Sequence, residues 1–162
     1  MIRPATAQDA QQIRDIYAHY VRTTAASFEE EEPTTGEMAS RIETTSRDYP
    51  YLVDEDGGQL RGYCYAGLYR TRSAYRFTAE TTVYVHEDAR GGGVGHALYA
   101  SLIEALKHKK LHMLIGAITL PNPASETLHR SFGFELSGRL REVGFKFNRW
   151  HDVALWQRKL VN

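Results

Sequence analysis

Gly91, Gly92 and Gly93, followed by Gly95, interrupt the stretch TTVYVHEDARGGGVGHALYASLIEAL at residues 81–106. A β-branched run precedes them and a long apolar-periodic run follows. A strand, then glycines, then a helix N-terminus makes an anion site. Backbone N–H groups point at the ligand, the helix dipole favours negative charge, and glycine lets the backbone come close. Spacing decides which anion loop this is. A dinucleotide loop, G-x-G-x-x-G, would need glycine where His96 or Leu98 stands, and no Gly-Lys pair supplies a nucleotide-triphosphate loop. What fits is R-x-x-G-x-G, met by Arg90, Gly93 and Gly95. Metal chemistry has weaker support. His108 and His112 are four apart, like helical ligands, but lysines lie between them and the helix is expected to end near Leu111. With one cysteine and no HExxH pattern, no metal is expected. Cys64, inside the alternating run RGYCYAGLY, reads as a buried filler.

The elements that must hold the glycine loop can be read along the chain. Its 162 residues suggest one domain, 1–162, with a real core. Lys+Arg and Asp+Glu balance at 20 each, which argues against nucleic-acid binding on a broad basic surface. No apolar signal core or bilayer-length run is present, so a soluble cytoplasmic protein without a membrane partner is expected. A single cysteine excludes an internal disulfide framework. Thr6 and Asp9 resemble a capping box, after which Ile13, Ile16, Tyr17, Tyr20 and Val21 share a helical face. The four glutamates of SFEEEEP read as a solvated loop, and a second helix is expected over 36–47 with Met38 and Ile42 inward. YPYLVDEDGGQLRGYCYAGLYR reads as strand, glycine turn, strand, and AETTVYV as another strand. GHALYASLIEALKHKK is a helix, LHMLIGAITL a buried strand, ASETLHRSF a short helix, and the remainder holds strand-like pieces such as VALWQRKL. The order predicts an α/β (α+β) domain with one mixed central sheet flanked by helices.

Arg90, Gly93 and Gly95, preceded by the strand through Val85, resemble the pyrophosphate signature of the GNAT acetyltransferases. The likeness continues in ITLPNPASETLHRSFGF. It narrows with RTRSAYRFTAETTVYV, LPNPASETLH and KFNRWHDVALWQRKL, which are similar to the phosphinothricin and methionine sulfoximine N-acetyltransferases. It covers nearly the whole chain. The resemblance implies the GNAT fold and acetyl-CoA as co-substrate. It places the cofactor on the backbone of Val83, Tyr84 and Val85, on Arg90, Gly91, Gly92, Gly93, Val94, Gly95 and His96, and on Asn122 and Ser131. The family is typically a homodimer.

Acetyl transfer to an amine needs a base for the ammonium, donors for the oxyanion, a proton for the leaving thiolate and an oriented acceptor. Taken alone, Glu80 reads as a strand-edge glutamate facing solvent. The resemblance makes it the candidate general base. His129 stands where many GNAT enzymes have tyrosine, and is read as assisting proton transfer or holding the intermediate. Arg70, Arg72 and Arg76 flank Tyr75 just before Glu80 and suit an acceptor with anionic groups. By resemblance Phe28, Arg70, Arg72, Tyr75, Thr82 and Ser125 contact the small amino-acid substrate. Arg76 departs from the acidic residue of herbicide-resistance members, which points to a broader taste for methionine sulfoximine or sulfone. Two alternatives stay open: another amine, such as a polyamine or protein N-terminus, or a non-catalytic acyl-CoA-binding module.

Overall fold

The computed structural model describes residues 1–160. Seven strands form one sheet in the order β1-β2-β3-β4-β5-β7-β6: β1 is Ile2–Pro4, β2 Tyr51–Asp56, β3 Gln59–Leu68, β4 Thr78–Val85, β5 Met113–Thr119, β6 Glu135–Lys146 and β7 Arg149–Lys159. Only β4 and β5 pair in parallel. The four helices are α1, Ala10–Thr23; α2, Thr35–Ser46; α3, Val94–Lys107; and α4, Pro123–Ser131. This is the mixed sheet with flanking helices that the order of elements predicts.

Both predicted helix starts are capped. Thr6 N donates to Asp9 Oδ2 at 2.8 Å ahead of α1. At α2, Glu37 N donates to Thr34 Oγ1 and Thr34 N to Glu37 Oε2. Alternation along the strands sorts the core into two layers. Val53, Tyr51 and Tyr63 face α1 and α2, where Ile13, Tyr17, Val21, Met38 and Ile42 cover them. Cys64, Ala66, Ala79 and Leu114 face α3, where Leu98, Tyr99, Leu102 and Leu106 cover them. Cys64 is buried filler, as expected, and burial pushes its thiol far up.

Four readings need correction. β1 escapes the sequence pattern because it has only three residues, one of them proline; its pairing with β2 holds it. The glutamate run is not free in solvent. Arg41 grips Glu29 at 2.9 and 2.6 Å, and Glu32 pairs with Arg14 and Arg22. α3 ends at Lys107, so His108 and His112 do not share a helix. β5 is not buried throughout: Ala117 is exposed in an otherwise alternating strand.

Candidate active site

Ala117 is exposed because the sheet opens beside it. The β4–β5 pairing covers only Thr78↔Met113, Ala79↔Leu114 and Glu80↔Ile115, although β4 runs on to Val85 and β5 to Thr119. Past Glu80 the two strands part and leave facing edges. The hydrogen-bond alternation of an antiparallel ladder identifies those edges. His86 N donates to Arg61 O, so the backbone groups of Tyr84 and Thr82 also face β3, and those of Val83 and Val85 face the opening. Leu120 N donates to Asp152 O, which by the same alternation turns Ala117 and Thr119 toward the opening from β5. Tyr84 is therefore corrected as a backbone contact. Val85 is partly used already, since Tyr20 donates its hydroxyl to Val85 O at 2.7 Å. Val83 is left with an amide and a carbonyl facing the slot.

The slot opens into a cleft of about 810 Å³. Val83, Tyr84, Val85, Arg90, Gly91, Gly93, Val94, Gly95, His96, Asn122 and Ser125 all line it. Gly91 and Gly93 take φ of 77° and 78°, a left-handed backbone that ordinary side chains avoid. Gly93 caps α3, whose first bond runs from Ala97 N to Gly93 O. The amides of Val94, Gly95 and His96 precede that bond and are the helix's orphan donors. Slot and loop together fit a long ligand with amide groups at one end and a diphosphate at the other. Tyr20 escaped the sequence reading because it looked like one more core position. Its hydroxyl lies on the slot edge, and the Arg90 guanidinium stacks 5.1 Å over its ring. Gly92 lines a second cleft of about 700 Å³ behind the loop, with Asp15, Arg61 and His86; the lining of that cleft does not include Val83. Ser131 stays outside both clefts. It is exposed, and its hydroxyl donates to Leu128 O at 2.7 Å. Asn122 lines the cleft, but its side-chain oxygen caps α4 by accepting from Ser125 N.

The two candidate proton carriers lie on opposite faces of the sheet. Glu80 shares the α1/α2 face with Thr82 and Tyr84, and stands beside Gly67 of β3. It is half-buried. Loss of hydration pushes its carboxyl up, and the charge of Arg70 offsets part of that. His129 is buried on the α3/α4 face against Gly116, where even a Cβ would meet its ring at 2.5 Å. Its Nδ1–H donates to Ser125 O at 2.7 Å, which leaves Nε2 to accept from the Tyr99 hydroxyl at 3.0 Å. Tyr99 in turn meets Thr81 Oγ1 at 2.6 Å. Burial holds the imidazole pKa down, so the ring is a neutral acceptor at the end of a buried hydroxyl chain.

Of the expected acceptor residues, Thr82 shares the Glu80 face, whereas Ser125 lies on α4 beside His129 and lines the cofactor cleft. Arg70, Arg72, Tyr75 and Arg76 lie on the exposed loop between β3 and β4. There Arg70 lies over the Tyr69 ring, Tyr69 meets Tyr75 edge to face, and Arg76 lies over Phe77. Thr82 stands opposite Tyr65, a residue not anticipated; burial pushes the Tyr65 hydroxyl pKa up, Thr82 offsets part of that, and the nearby Glu80 charge adds to it. Phe28 packs on the Gly144 backbone and beside His151. Among the described residues, no group of three or more His, Cys, Asp or Glu side chains is placed to hold a metal. No helix among them is long and apolar enough to cross a membrane.

A parted pair of parallel strands ending at a glycine-capped helix suits an extended ligand with an anionic end. Residues 2–155 match the family model described as an acetyltransferase (GNAT) domain. The chain belongs to the GNAT acetyltransferase family and is an N-acetyltransferase. It is 46% identical over 161 residues to a phosphinothricin N-acetyltransferase of Alcaligenes faecalis, covering 98% of this chain and 82% of that one. An L-methionine sulfoximine/L-methionine sulfone acetyltransferase of Pseudomonas aeruginosa is 38% identical, covering 98% and 94%. The crystal structure of a phosphinothricin acetyltransferase from Sinorhizobium meliloti in complex with AcCoA superposes with a TM-score of 0.95 at 40% identity, covering 99% and 88%.

Proposed function

We propose that this protein transfers the acetyl group of acetyl-CoA to the α-amino group of a small glutamate-like amino acid: methionine sulfoximine, methionine sulfone or phosphinothricin. Such compounds mimic an intermediate of glutamine synthesis, and acetylating them would detoxify glutamine synthetase inhibitors. The observation that carries this reading is the slot, with Glu80 at its closed end on one face and the glycine loop at its open end. When bound, acetyl-CoA supplies an acetyl thioester. The glycine-loop amides and Arg90 hold its diphosphate, and the edges of Val83 and Ala117 hold its amide arm as a strand would be held. Glu80 takes the proton of the acceptor's ammonium, a task that a raised carboxyl pKa suits. The Val83 amide is the donor available to the oxyanion. The proton released from the amine nitrogen as the tetrahedral intermediate collapses would protonate the leaving thiolate, with the Tyr99 hydroxyl, held by Thr81 and His129, as the polar relay on the other face.

Arg70, whose charge acts on Glu80, and Arg72 on the same loop favour an anionic acceptor and oppose a polyamine. In this reading the chain acts as one cytoplasmic domain, without metal, nucleic acid or membrane. It works as a homodimer. The exposed Leu136, Leu140, Phe145 and Trp150 on the β6–β7 hairpin support that assembly. The test is free-thiol release from acetyl-CoA across amino acids, polyamines and N-terminal peptides. Faster turnover of spermidine or of an N-terminal peptide than of methionine sulfoximine would overturn the acceptor assignment.

A further inference from the structure

Lys146, at the end of β6, is 3% exposed, yet among the described residues no carboxylate hydrogen-bonds its ammonium. Nζ donates to two backbone carbonyls, Thr24 O at 2.9 Å and Ser27 O at 2.8 Å, and lies 5.0 Å over the Phe147 ring. These carbonyls belong to the loop between α1 and α2, some 120 residues away in sequence. Both segments wall the active-site cleft: Thr24, Ala25 and Ala26 from the loop, Phe147, Arg149 and His151 from the hairpin. Two further contacts tighten the joint. His151 Nε2–H donates to Lys146 O at 2.9 Å, and Phe28 lies so close to Gly144 that a Cβ there would come within 2.2 Å of its ring. A hydrophobic side chain could fill the space Lys146 occupies, but it would leave two buried carbonyls unpaired. An ammonium on a long stem reaches both from one point.

We propose that Lys146 is the positioning residue for the acceptor side of the cleft: by tying the carbonyls of Thr24 and Ser27 to the β6–β7 turn, it sets where the loop carrying Phe28 stands relative to Glu80. This rests on the acetyltransferase reading above, but not on the identity of the acceptor. Lys146, Ser27 and Phe28 are not among the residues lining the cleft that holds the glycine loop, so the tie is expected to matter more for the acceptor than for coenzyme A.

The experiment compares Lys146→Met and Lys146→Arg with the wild-type chain, using whichever amine the wild type acetylates fastest. In Lys146→Met the acceptor KM is expected to rise about tenfold to a hundredfold through misplacement, with calorimetric coenzyme A affinity within about threefold of wild type. Arginine can still donate to both carbonyls, so Lys146→Arg should fall between the two. A merely structural role would lower melting temperature and active fraction and leave KM alone. If Lys146→Met does not fold, the arginine variant decides: a KM rise of threefold or more with coenzyme A affinity intact supports the proposal. Unchanged acceptor KM in folded Lys146→Met, or in Lys146→Arg where the methionine variant does not fold, overturns it. If the wild type acetylates no amine, the functional reading fails, and amide exchange over residues 24–28 tests the tie alone; exchange as slow in Lys146→Met as in wild type would overturn it.

Discussion

Gly93→Ala isolates what the glycine loop holds. Gly93 has φ 78° and ψ 3°, and an added Cβ would meet no protein atom within 4 Å. The only intramolecular cost is therefore the left-handed backbone, about 1–2 kcal/mol for an L-residue. Stiffening of the unfolded chain returns about 0.4–1 kcal/mol. The net is a loss of about 1 kcal/mol, or a melting temperature lower by about 2–4 °C for a chain of this length. Gly58, in the β2–β3 turn, supplies the control: its φ is 83°, its Cβ also meets nothing, and it lines neither cleft described above. Both alanine variants should lose similar stability. Only Gly93→Ala should lose coenzyme A, because its methyl enters the space of the diphosphate. One charge-assisted backbone contact of about 1.5–3 kcal/mol corresponds to roughly tenfold to over a hundredfold in Kd. Calorimetry with coenzyme A and thermal melts of both variants measure the two effects separately. Equal affinity in Gly93→Ala and Gly58→Ala would refute the cradle.

Glu80→Gln should keep coenzyme A affinity and lose about 100- to 10,000-fold in turnover near neutral pH, less at high pH where more amine is already neutral. The same variant should gain stability, with a definite pH dependence. Burial raises the Glu80 carboxyl pKa in the fold, so the folded state loses stability as pH rises from the ordinary carboxylate value through the raised one. The gain in melting temperature should be present near neutral pH and vanish below about pH 4; an equal gain at both would place the effect elsewhere. Arg72→Ala should lower kcat/KM for methionine sulfoximine by roughly tenfold to a hundredfold while sparing coenzyme A. Lysine there should recover only part, and amidating the acceptor's carboxylate should combine with Arg72→Ala less than additively if the two groups meet. Tyr99→Phe removes the hydroxyl between Thr81 and His129 and should lower kcat with little change in either KM; an unchanged kcat would remove the buried chain from the reaction.

The glycine loop and its strand were legible because their work is done by backbone, and only a few residue types allow that backbone. Arg90, Gly93 and Gly95 stand in the sequence as they stand in the fold. Both helix caps were equally local. What stayed hidden depends on register between distant segments. Alternation along β4 gives Val83 and Tyr84 opposite backbone directions, yet which one faces the slot is fixed only by pairing with β3. Tyr20 and Tyr17 look alike on one helical face. Only the tertiary placement of α1 brings one to Val85 O and the other to Ser27 Oγ. Lys146, in a strand-like tail, carries no local sign of the carbonyls it reaches. The glutamate run misleads for the same reason, since Arg41, Arg14 and Arg22 come from other elements.

That Glu80 and His129 sit on opposite faces has a chemical consequence. If Glu80 is the base, as proposed, the acceptor's proton would leave toward the α1/α2 face while the thiolate would need one near the α3/α4 face, so a single residue could not serve both as base and as acid. The backbone of β4 separates the two tasks: Glu80 points one way and Thr81, the next residue, the other. The environments match this division. Glu80 is half-buried, has Arg70 nearby, and shares its face with Thr82. His129 is buried and neutral, hydrogen-bonded to Tyr99 on one side and to Ser125 on the other. A parted sheet is the structure that permits this, because a closed β4–β5 ladder would leave no place where both faces meet one reacting carbon.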